Sequence, residues 1–173
     1  MKLPNIAIIL LFASSAFAGA PPLRADLAGL GFLVGRWQSG SGEVSDTGGT
    51  SNGTSIVTVE ANGAVLLRRD HTVLFDAGKK RGGSFDQIML IYPEEGAIHA
   101  DYSDGQHVIH YTSAAVVEGK SVTFSSAPQK GAPTFQLTYE LSEPDTLSVS
   151  FGMRQGDHSA FQPIASGTLK KHK

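Results

Sequence analysis

The chain has 173 residues, with 14 lysines and arginines against 16 aspartates and glutamates, and contains no cysteine. Disulfides, thiolate catalysis, iron–sulfur clusters and cysteine-based zinc sites are therefore excluded. The formal charge is −2, and the basic runs Lys79-Lys80-Arg81 and Lys170-Lys171 read as a solvated loop and a tail, which argues against a nucleic-acid partner.

The first element is a targeting segment. Lys2, the apolar run Ile6 to Phe12 and the small residues Ala16-Phe17-Ala18 form a secretory signal peptide over residues 1–18. The apolar run falls short of the roughly 20 residues a bilayer requires, so no membrane association is expected after cleavage. Removing 18 of the 173 residues leaves 155, residues 19–173, enough for one domain with one core. The mature protein is expected in the periplasm or outside the cell.

After Pro21-Pro22, apolar residues at 23, 27, 30, 33 and 34 predict one or two turns of helix, with Gly35 as the stop. Everything downstream predicts strands: Arg36 to Val44, Thr54 to Ala61, Ala64 to Phe75, Phe85 to Tyr92, Ala97 to Tyr102, Gln106 to Ala114, Ser121 to Ser126, Thr134 to Leu141, Thr146 to Met153 and Phe161 to Lys170. Gly48-Gly49 falls in a loop on this reading. Asn62-Gly63 and Asp104-Gly105 are two-residue hairpin signals, because both residue types tolerate positive φ. Short links between successive strands force an up-and-down meander, and one this long must close to hide its edges. The predicted fold is all-β: a single closed ten-stranded antiparallel up-and-down barrel with a short N-terminal helix.

Alternation assigns the faces. Phe135, Leu137, Tyr139 and Leu141 share one face of their strand, and Leu147, Val149, Phe151 and Met153 share one face of the next. In the hairpin around Asp104-Gly105, a two-residue turn pairs Tyr102 with His107, Ala100 with Ile109 and Ile98 with Tyr111 on one mostly apolar face. That face predicts Tyr102, His107 and Tyr111 on a cavity wall, where polar groups orient a ligand in an apolar pocket. The opposite face carries His99 against His110, with Asp101 nearby, the only metal-like constellation and a weak one.

The second concentration of charge lies in Val65 to Thr72. Arg69 and His71 share the face of Val65 and Leu67; if that face looks inward, both project into the cavity, where arginine could clamp a carboxylate. An inward arginine paired with an acid such as Asp86 is the structural alternative. The candidate ligand-binding residues are thus Arg69, His71, Tyr102, His107 and Tyr111. No nucleophile elbow, His-Glu-x-x-His or phosphate loop appears. No catalytic or metal residue is assigned, and no cofactor is expected.

The segment Leu30 to Gly42, with its Phe32-Leu33-Val34-Gly35-Arg36-Trp37 step, resembles the opening of nitrobindin-like and related lipocalin-like (calycin) domains of unknown function, where a short helix steps into the first barrel strand. Tyr92 to Gly96 and Ala100 to Tyr111 approximate further stretches of such proteins. The resemblance implies a ten-stranded barrel related to fatty-acid-binding calycins, with Trp37 packed at its closed end. It does not extend to haem. Nitrobindins ligate iron through a histidine close to the last strand, whereas Phe161 to Leu169 has none and His158 lies in the preceding turn. The Arg-x-Tyr clamp of fatty-acid binders is also missing from the last strands, leaving Arg69 with a tyrosine as its substitute.

The leading expectation is an exported, non-enzymatic barrel that binds a small, largely apolar molecule. The alternatives are an isomerase or hydrolase using His107 and Tyr102, a haem-binding nitrobindin relative, or a barrel filled by Phe135, Tyr139, Phe151 and their neighbours. The oligomeric state is left open.

Overall fold

The computed structural model describes residues 21–44, 48–156 and 159–172; the signal segment and His158 lie outside them. A 3₁₀ helix, Ala25–Leu33, precedes ten strands: β1 Gly35–Val44, β2 Gly49–Glu60, β3 Val65–Phe75, β4 Arg81–Glu94, β5 Ala97–Ser103, β6 Val108–Val117, β7 Ser121–Ser126, β8 Thr134–Glu143, β9 Thr146–Arg154 and β10 Gln162–Lys171. Each strand pairs antiparallel with its sequence neighbours, and β1 pairs with β10 from Trp37↔Lys171 to Val44↔Ala165. The meander therefore closes as a barrel, as the short links require.

The barrel has a sealed end and an open one. The helix is 3₁₀ rather than α because its leucines recur every three residues: Leu27, Leu30 and Leu33 eclipse along one stripe and are all buried. Backbone bonds fix it to the sealed end, from Arg24 N–H to Gly63 C=O at 3.0 Å and from Gly119 N–H to Gly29 C=O at 3.0 Å. Gly63 is required there, because its φ is +86° and a Cβ would collide with the Pro22 carbonyl. Trp37, buried at the start of β1, donates its indole N–H to the Leu33 carbonyl at 2.8 Å, and Lys171 Nζ lies 5.1 Å from its ring centre. The tryptophan thus sits at the closed end and locks the end of the helix to the first strand.

Alternation in β8 and β9 places Leu137 beside Phe151, Tyr139 beside Val149 and Leu141 beside Leu147. Two details differ from expectation. β2 begins at Gly49 rather than Thr54, because each barrel strand gains hydrogen bonds on both sides: Thr50 pairs with Glu43 and with Phe75. That gain outweighs poor strand propensity, and Gly53 suits the site because a Cβ there would strike the His71 carbonyl. The loops at Asn62-Gly63 and Asp104-Gly105 are also longer than the expected two residues. Glu60 pairs with Val65, leaving four linking residues of which Ala61, Asn62 and Gly63 all have positive φ.

Replacing Trp37 with alanine removes the largest side chain sealing the barrel and should destabilise it by about 3–5 kcal/mol. Trp37→Phe keeps most of the apolar surface and loses the bond to Leu33, costing about 1 kcal/mol. Urea titration of the three proteins is the check.

Candidate functional site

Between the helix-sealed end and the opposite mouth, the barrel retains a cavity of about 400 Å³. Leu74, Phe85, Ile109, Leu137, Val149 and Phe151 form much of its wall, and Arg68, Asp70, Gln87, Tyr102, Tyr111 and Tyr139 supply polar groups. Phe135 stacks on Phe151 with ring centres 5.8 Å apart, yet the aromatic residues of β8 and β9 do not fill the interior.

The inward face of β3 carries Leu66, Arg68, Asp70, Thr72 and Leu74, not Val65, Leu67, Arg69 and His71. Arg69 and His71 are therefore exposed on the outer surface, and His71 Nδ1 lies 2.8 Å from Asp86 Oδ1 there. The expected inward pair of Arg69 and His71 is corrected by one residue of parity. Arg68 sits between Val57 of β2 and Met89 of β4, both buried, so the register on both sides turns this face inward.

Arg68 and Asp70, two residues apart on one face, form a nearly buried ion pair with side chains 11% and 10% exposed. Arg68 Nε donates to Asp70 Oδ2 at 2.7 Å, and Nη2 donates to the same oxygen. Nη2 also donates to Gln87 Oε1 at 3.1 Å, and Nη1 to Met89 Sδ at 3.6 Å. From across the barrel the Tyr139 ring faces the guanidinium, 5.5 Å from its carbon, a cation–π contact. Burial works against the Arg68 charge, but Asp70 together with Tyr139 and Tyr102 outweighs it and pushes the guanidinium's pKa up. Two buried polar atoms at this site have no hydrogen-bond partner among the described residues: Asp70 Oδ1 and the Tyr139 hydroxyl.

Tyr102 and Tyr111 line the cavity as expected. Burial, then the Asp104 charge, push the Tyr102 hydroxyl up to about 12. Burial raises Tyr111 and Tyr139 as well, so all three are protonated at neutral pH. His107 is corrected: it lies in the loop at the mouth, 73% exposed. The loop spans Asp104 to His107, so that Tyr102 pairs with Ile109 and Ala100 with Tyr111, two residues from the expected register. Asp104 explains the longer loop. Its Oδ1 accepts the backbone N–H groups of Gln106 at 2.9 Å and His107 at 2.7 Å, and these bonds outweigh burial to hold its pKa below the usual value. A two-residue shift preserves the faces, which is why both tyrosines still point inward.

The same shift rearranges the outer histidines. Asp101 now opposes His110, with Oδ1 at 2.6 Å from Nδ1, while its Oδ2 accepts the Tyr92 hydroxyl at 3.2 Å and His99 stacks on the Tyr92 ring. Among the described residues no cluster of three metal-ligating side chains forms. The cavity wall does not fit haem either: no described histidine lines it, and its tyrosines are held protonated.

Arg68, Asp70 and Gln87 were missed as polar cavity residues, while Tyr139 was expected inside only as a residue filling the barrel. One signal was available: Arg68 and Asp70 have opposite charges on one face and neutralise each other, whereas Arg69 and His71 are both basic and suit solvent.

The raised tyrosines fix a pH dependence. Above pH 10, the ordinary tyrosine value, the unfolded chain loses protons that the folded chain keeps. Stability should therefore be full below pH 10 and decline as pH rises through about 12. The slope should be shallower in Tyr139→Phe, as read by urea midpoints across that range.

No family model matches the chain, and no curated protein matches it. Among solved structures, it is similar to a de novo designed fluorescence-activating β-barrel, with 13% identity over 86% of this chain and 100% of that one and a TM-score of 0.43. It is also similar to a redesigned β-barrel, with 16% identity over 89% of this chain and 100% of that one and a TM-score of 0.41.

Proposed function

We propose that this protein is an exported β-barrel that holds a small, largely apolar molecule in its interior and does no chemistry on it. The observation that carries the reading is the cavity of about 400 Å³ left between the helical plug and the mouth. Small-molecule sites are typically concave, roughly 300–1,000 Å³, mostly apolar, and equipped with a few polar groups. Here those groups include Arg68, Asp70, Gln87, Tyr102, Asp104, Tyr111 and Tyr139, and not the outward Arg69 and His71.

The reading of export to the periplasm or outside the cell is supported by Lys2, the apolar run after it and Ala16-Phe17-Ala18. Kinship with lipocalin-like and nitrobindin-like domains rests on the Leu33 to Trp37 step from helix to strand. The partner is a small molecule, not a nucleic acid or a membrane. A catalytic His107 and Tyr102 pair loses support because His107 is exposed and bonded to Asp104, leaving the cavity without a histidine base among the described residues.

The test is titration of the mature protein with a fluorescent apolar probe. Saturable binding at micromolar concentration and one site per chain is expected. Val149→Trp, which places an indole in the cavity, should weaken binding by about tenfold or more with the circular dichroism spectrum retained. Absence of probe binding to the folded wild type, or equal binding to the filled variant, would contradict the reading.

A further inference from the structure

Resting on the cavity-binding reading, we infer that the occupant is a neutral apolar molecule whose polar head donates a hydrogen bond to Asp70 and accepts one from Tyr139, such as an amide or an alcohol, and not a carboxylate. Two facts carry this. The first is what Arg68 has already spent. Of the five N–H bonds of a guanidinium, Nε and one on Nη2 go to Asp70 Oδ2, another on Nη2 goes to Gln87, and one on Nη1 goes to Met89. One N–H remains, so the two-pronged grip by which arginine holds a carboxylate is occupied by the chain's own carboxylate. An incoming acid would also lose its hydration and meet the negative charge of Asp70.

The second fact is what is left unsatisfied. Asp70 is nine-tenths buried, lines the cavity and has one oxygen, Oδ1, without a partner among the described residues. Tyr139, buried and lining the same cavity, has a hydroxyl whose proton finds no acceptor among the described residues. Buried polar groups are nearly always paired, and an orphan costs its full desolvation. A carboxylate oxygen only accepts, whereas a tyrosine hydroxyl donates as well as accepts. An amide NH₂ or an alcohol O–H meets the first demand, and the oxygen of the same head group meets the second. Being uncharged, such a head group leaves the Arg68–Asp70 pair electrically balanced.

The experiment is displacement of the fluorescent probe from the mature wild-type protein at neutral pH by octanamide, octanol, octanoate and octane, which share chain length and differ at the head. Octanamide and octanol should compete about tenfold or more better than octanoate and octane. Tyr139→Phe should reduce the amide advantage over octane without improving octanoate. Asp70→Asn frees the Arg68 fork and should reverse the order, with octanoate becoming the best competitor. Because that variant leaves a buried cation unpaired, the wild-type series and Tyr139→Phe decide the matter if it does not fold. Octanoate competing best in the wild type, or all four competing equally as they would if water satisfied Asp70 and Tyr139, overturns the inference while leaving the cavity reading standing. Failure of the probe itself to bind the folded protein overturns both.

Discussion

The pairing of β1 with β10 is the constraint from which the remaining architecture follows. Once Trp37 lies opposite Lys171 and Val44 opposite Ala165, each strand is hydrogen-bonded on both flanks and no edge is left to recruit another chain. Every second residue must then point into an enclosed space, so parity along each strand decides what the interior contains. Closure also leaves two ends to be dealt with. One receives the leucine stripe of the 3₁₀ helix, held by the Trp37 bond and by backbone bonds to Gly63 and Gly119. The other stays lined by loops, among them the Asp104 turn.

Within that enclosure the Arg68–Asp70 pair dominates the electrostatics. An isolated charge on this wall would be severely destabilising, and removing one partner of a buried pair typically costs 3–5 kcal/mol. The two are tolerated together because they neutralise each other and because Gln87, Met89 and the Tyr139 ring complete the guanidinium's surroundings. A hydrophobic pair of the same volume would generally be no less stable. Charged and phenolic groups beside an apolar cavity are therefore not explained by stability alone, and the proposed recognition would act at the oxygens of Asp70 and Tyr139 that lack a partner among the described residues.

Much of the fold was legible because local signals agreed. In β8 and β9 the apolar residues occupy one parity and the serines and threonines the other, so their faces could be read directly. The Leu33 to Trp37 step marked the helix end and the first strand. In β3 the local signal favours the outer face: Val65, Leu67, Val73 and Phe75 share one parity against Leu66 and Leu74 on the other, and each face carries an arginine. Only pairing with Val57 and Met89, which are distant in sequence, turns the other face inward, and this is why Arg69 and His71 were expected inside. His107 was misplaced for a different reason. Asp104 caps the following N–H groups and lengthens the turn, a side-chain effect that a two-residue hairpin signal omits. Gly49 to Gly53 carries little strand propensity of its own and becomes strand because its neighbours on both sides require partners.

The parity of β3 is the assignment on which the cavity's chemistry turns, and a chain without cysteine allows it to be measured directly. Single cysteines at Leu66 and at Arg69, treated with a soluble thiol reagent under native conditions, report which face meets solvent. Leu66→Cys should react only when the protein unfolds, and Arg69→Cys should react at the rate of a free thiol. Rapid modification at 66 with protection at 69 would turn Arg68 and Asp70 outward and contradict the account.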